Sequence, residues 1–169
     1  MRHIEITKLP HIWDQGEYSE TVNEYLKRAY NLDSPMSGEW GYTTEDAVIF
    51  ERPPSSLPID YVAWEWIFVE KRVYSECIVF RPPNDRFSGI KWKLQKQRLL
   101  DIANRKIDEL TFAIQMLADN DFEELKNDWE KNDCFFGDPR GQEEHIQRRS
   151  DLTYWYTSVF FFDVTQVIA

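Results

Sequence analysis

The sequence of 169 residues holds only two cysteines, three histidines and six glycines, and each scarcity removes a class of function. Cys77 and Cys134 are too few for a disulfide framework, which points to a reducing compartment. His3, His11 and His145 form no HxH or HExxH spacing and no CxxC is present, so neither a metal nor any other cofactor is expected. The glycines are dispersed as turn residues, without a phosphate-cradling loop or a GxSxG elbow. No stretch approaches the roughly 18 continuous apolar residues of a membrane span, and the first residues lack the apolar core of a signal peptide. The expectation is a soluble cytoplasmic protein with no membrane association.

Aromatic residues, by contrast, are abundant: 7 Trp, 8 Tyr and 11 Phe, beside 30% charged residues. That combination excludes general disorder. It fits one globular domain over residues 1–169, long enough to bury a core without staples. The formal net charge is −10, which disfavours phosphate backbones and anionic lipid as partners. The charge is unevenly placed. Residues 86–106 carry seven basic side chains against Asp101 alone, whereas residues 119–144 carry ten acids against Lys126, Lys131 and Arg140.

Periodicity gives an α+β reading with an antiparallel sheet of five or six strands. "HIEIT" is a short edge strand. Val22, Tyr25, Leu26 and Ala29 share one helical face, predicting a helix over about 17–31. "DAVIF" and "ECIVF" each read as a strand stopped by Arg-Pro-Pro. "YVAWEWIFVE" at 61–70 fits either period. Its Val, Trp, Ile, Phe and Tyr content favours a strand over 60–69, buried on both faces, with "RVYSECIVF" as its antiparallel neighbour. Ile90, Trp92 and Leu94 alternate with Lys91, Lys93 and Gln95, and Leu110, Phe112, Ile114 and Met116 alternate with polar residues. With "ANRK" as the turn this is a long hairpin having one core face and one basic face, although 99–117 also fits a helical period. Trp92 then points away from its lysine neighbours, against a role in stacking on nucleic acid. Asp121 as N-cap and Glu124 predict a second helix over about 121–131. "EEHIQRR" is one or two helical turns, and "TYWYTSVFFFDV" is an aromatic strand.

Little in the chain suggests catalysis. Cys77 falls in a predicted strand as a small buried residue, and Cys134 lies among acids that disfavour a thiolate. The leading expectation is a non-enzymatic protein-binding domain, an inhibitor, immunity or antagonist protein. It would present Asp121, Glu123, Glu124, Asp128 and Glu130 to a basic protein partner. The alternative is a small-molecule binder or enzyme with a pocket lined by Trp64, Trp66, Tyr154 and Tyr156 around Glu65. A carboxylate inside "AWEWIF" needs a cation or a raised pKa, and Arg72, Arg81 and Lys91 are the expected cations.

Overall fold

Two alternating runs meeting at a tight turn build the centre of the molecule. The computed structural model describes residues 1–9, 20–52 and 59–168. Within it, β4 (Phe87–Ile102) and β5 (Arg105–Ala118) pair antiparallel around Ala103 and Asn104, which both take positive φ. That conformation matches the twist of the flanking strands. Leu110, Phe112, Ile114 and Met116 are buried on one face, with Ile90, Trp92 and Leu94 packed beside them. Lys91, Lys93 and Lys96 are exposed on the other.

β6 (Tyr154–Asp163) pairs with β5 along its whole length. Its far edge carries β1 (Arg2–His3) at one end and β3 (Val48–Phe50) at the other, both parallel to it. β2 (Met36–Gly38) extends the sheet antiparallel to β3, giving six strands in the order β2–β3–β6–β5–β4 with β1 beside β6. The described residues thus form a mostly antiparallel α+β sheet with four helices. The first, α1 (Val22–Tyr30), starts at a Thr21–Glu24 capping box that the sequence reading missed. Its expected earlier start at 17, and the Pro-rich stop after Arg52, lie outside the described residues.

The strand expected over 60–69 is a helix. α2 spans Tyr61–Tyr74, with the Asp60 side chain accepting from the Ala63 N–H at 3.0 Å. The next residues, Ser75–Val79, continue as a π-helical turn in place of the second expected strand. The buried stripe is Glu65, Phe68, Val69, Arg72, Val73 and Glu76, a helical spacing in which half the members are charged. Apolar periodicity was therefore blurred at the positions that define the face. Packing on the sheet outweighs the modest β preference of the local composition. Aromatic pairs form between helix and sheet: Phe68 meets Phe162 at 5.6 Å and Trp66 meets Phe112 at 5.1 Å, both edge-on.

After β5 the chain forms a helical hairpin, α3 (Asp119–Lys131) and α4 (Pro139–Leu152). α3 begins two residues earlier than expected. Its N-cap is Ala118, which offers no side-chain bond, so Asp121 is not the cap. The short "EEHIQRR" element is instead part of a 14-residue helix, capped by Asp138. Gly89, at φ +60° in a β4 bulge, lets Phe122 of α3 approach the strand. A Cβ there would lie 2.9 Å from the Phe122 ring.

Candidate functional site

The acids of the helical hairpin fall into two groups. Glu123 and Glu130 are exposed and take part in no ion pair among the described residues. Glu124 is paired with Arg148 at 3.0 Å, and Asp128 meets His145 Nδ1 at 3.0 Å. His145 is buried between the rings of Trp129 and Phe135, at 5.1 and 5.3 Å. Asp128, expected at a solvent position, therefore serves the packing of α3 on α4. Asp121 is half-buried and borders a shallow groove of about 680 Å³ between the helices. Five acids line that groove (Asp121, Glu124, Glu143, Glu144 and Asp151), and its two arginines, Arg140 and Arg148, are already held by Glu144 and Glu124. Glu143 and Glu144, outside the expected set, belong to this face. Their signal was the helical spacing of "EEHIQRR", too short as read to fix a face.

The five residues of the alternative pocket are not brought together. Glu65 lies near Asp108, which pairs across the sheet with Phe162, whereas Tyr154 pairs with Met116. These positions are eight residues apart along the strand, roughly 26 Å at about 3.3 Å per residue. Trp64 is half-buried on α2, and Trp66 is 40% exposed at its outer edge. Tyr154 packs against Phe87. Nor does Glu65 have the expected cation: Arg72 turns to Glu76, Arg81 pairs with Asp85, and Lys91 points to the opposite face of the sheet from α2. Burial and then the charge of Asp108 push the Glu65 carboxyl up to about 8.

Tyr156 belongs to a different cluster, at the β6 edge left open between β1 and β3. Arg72, fully buried, bridges this gap. Its guanidinium donates to the carbonyls of Trp40 (2.8 Å), Gly41 (3.1 Å) and Val159 (2.8 Å) and to Ser158 Oγ (2.7 Å). It also lies over the rings of Phe160 and Tyr42. Four residues on, Glu76 is 2% exposed, with Oε1 3.6 Å from Arg72 Nε. It accepts from the hydroxyl of Tyr42 and, at 3.2 Å, from that of Tyr156. Burial raises the Glu76 pKa, while Arg72 and the two tyrosines oppose the rise. Cys77 lies beside Tyr156, its thiol pushed up to about 12 by burial. Glu76, Tyr42 and Tyr156 border a cavity of about 460 Å³ whose rim includes His3, Glu5 and Lys8. Most donors and acceptors of this cluster already meet one another, which is the pattern of a buried structural network.

The basic stretch is partly neutralised. Glu109 grips Arg98 through both oxygens at 2.7 Å, Asp163 takes Arg105 at 2.7 Å, and Asp101 takes Lys106. Among the described residues no group of three or more His, Cys, Asp or Glu is arranged to hold a metal ion, and no helix is long and apolar enough to cross a membrane. Comparison with protein-family models, with curated proteins and with solved structures finds no match to this chain.

Proposed function

We propose that this chain is a non-enzymatic cytosolic protein-binding domain of inhibitor or antagonist type, which presents the α3–α4 acids to a basic protein. The observation that supports the reading is the charge around the inter-helix groove. Its arginines are consumed within the hairpin, leaving Asp121, Glu143 and Asp151 as surplus negative charge, with exposed Glu123 and Glu130 also on α3. Such a field steers a basic partner and acts mainly on its association rate. The test is a triple reversal, Glu123→Lys, Glu130→Lys and Glu143→Lys, chosen to spare the pairs of Glu124 and Asp128. Folding should stay cooperative. Association with a partner captured from native lysate should slow by about tenfold or more at low ionic strength, a difference that shrinks with added salt. A partner whose association ignores both the reversal and salt would sink this reading.

A second reading, small-molecule binding, is favoured by one observation: the buried Glu76 borders an open cavity. Screening metabolites by NMR tests it, since a true ligand shifts the ring resonances of Tyr42 and Tyr156, while shifts confined to the hairpin helices would count against it.

A further inference from the structure

Two buried oxygens near the tip of the β4–β5 hairpin, Glu65 Oε1 and Asp108 Oδ1, have no hydrogen-bond partner among the described residues. Their residues are 1% and 5% exposed. Every lysine and arginine of the chain lies among the described residues, and none forms an ion pair with either carboxylate. Among the described residues the surroundings supply no cation either. From α2 itself the neighbouring titratable group is Tyr61, one turn before Glu65. β5 contributes Asp108. β4 contributes the neutral Gln97, whose Nε2 donates to Asp108 Oδ2 at 2.7 Å, and Leu99, directly across from Asp108. β6 contributes Phe162 and β3 contributes Phe50, which packs on Tyr61 and Phe162.

Two ionised carboxylates here would be acceptors facing an acceptor, in a place with little water to separate them. One added proton changes the chemistry. A protonated Glu65 becomes a donor while Asp108 remains an acceptor, which opens a hydrogen bond to the two orphaned oxygens. We propose that Glu65 and Asp108 share a single proton at neutral pH, forming a latch that holds the first half of α2 to the hairpin tip and opens in alkali. The proton is taken from bulk water on closing and returned to it on opening, one per molecule, with no other reactant.

The raised pKa of both groups agrees in direction: burial is the leading cause at each, and at Glu65 the charge of Asp108 adds to it. A carboxyl whose folded pKa of about 8 lies above its ordinary 4.5 stabilises the fold fully below the ordinary value. That stability is lost as pH rises through the folded value. In this window the unfolding constant should climb about tenfold per pH unit on account of this one proton, then level off above about pH 8. Above that point the second negative charge pushes α2 from the hairpin, and the amides of residues 65–68 should exchange faster.

Urea unfolding of the wild type and of Glu65→Gln between pH 5.5 and 9 isolates the latch, because other titrating groups cancel in the ratio of the two unfolding constants. The glutamine amide still donates to Asp108 but does not titrate. The ratio, wild type over variant, should rise about 100-fold between pH 5.5 and 7.5 and then flatten; a ratio independent of pH overturns the proposal. The wild type alone gives a second readout. The carboxyl carbon of Glu65 should titrate near pH 8 by NMR, and in Asp108→Asn its midpoint should drop by about one pH unit. Titration near 4.5 in the wild type, or a midpoint indifferent to Asp108→Asn, also overturns it. If Asp108→Asn fails to fold, the wild-type titration still decides.

Discussion

Glu65 and Glu76 lie on the same buried stripe of one continuous helical segment, eleven residues apart, and both carboxyls are pushed up by burial. Their surroundings differ. Glu76 has Arg72 on the preceding turn and the hydroxyls of Tyr42 and Tyr156 in front of it, and that guanidinium also ties Trp40, Gly41 and Val159 to the helix. Glu65 has another carboxylate and an orphaned oxygen. A buried charge with internal partners is part of the scaffold, whereas one without them responds to the solution, here to its protons. The C-terminal end of α2 is thereby tied to the sheet edge by Arg72, and the N-terminal end is conditional on the Glu65 proton.

The largest expected effect is at the fixed end. Arg72→Met should cost about 3–5 kcal/mol, as for breaking a buried pair, because it strands Glu76 and unpins three carbonyls. Chemical denaturation measures it, and a loss below about 1 kcal/mol would erase the distinction drawn here, since exposed pairs contribute that little. Phe68→Ala should cost a similar amount, roughly 3–5 kcal/mol for a buried aromatic. Tyr42→Phe comes next. Removing one donor to a charged group should cost about 1.5–3 kcal/mol, and the Glu76 carboxyl should rise further. Trp66→Ala should lose much less than Phe68→Ala, mostly the edge contact with Phe112, at about 0.5–1.5 kcal/mol. On a strand Trp66 and Phe68 would share a face and the two losses would match, so equal values would restore the strand. Opposite in sign is Glu65→Gln, whose advantage over the wild type should grow as pH rises towards 8. Thermal melting at pH 8 should leave it as stable as the wild type or more so, whereas a marked loss would mean that a cation compensates Glu65 after all.

Sequence patterns carry structural information unevenly along the chain. The hairpin was legible because Ile90, Trp92 and Leu94 alternate cleanly with lysines, and strand period 2 puts every second side chain on the core face. β6 was legible from its aromatic composition, which favours a strand. α2 was not, because its core-facing positions include Glu65 and Arg72, with Glu76 following on the same stripe, while Val62 and Trp66 are partly exposed, so hydrophobicity and burial part company along it. α3 was found but its cap was misplaced, since Ala118 offers no side-chain acceptor to mark the start. α4 was underestimated because Gly141 sits inside it; the Asp138 side chain bonds the Gly141 N–H and holds the first turn.

Composition and periodicity alone determined the α+β class, the long hairpin with its basic face, and the concentration of acid after residue 118. These follow from local chemistry, because side-chain alternation and charge counting need no knowledge of what lies opposite. The partners of buried charges were decided only by the tertiary structure. Whether Glu65 meets Arg72 or Asp108, and whether Asp128 faces solvent or His145, depends on which elements pack together. Arg72 bonds residues up to 87 positions away, a separation at which no spacing rule operates. The electrostatics of the core is therefore set by packing, and packing is a property of the whole fold.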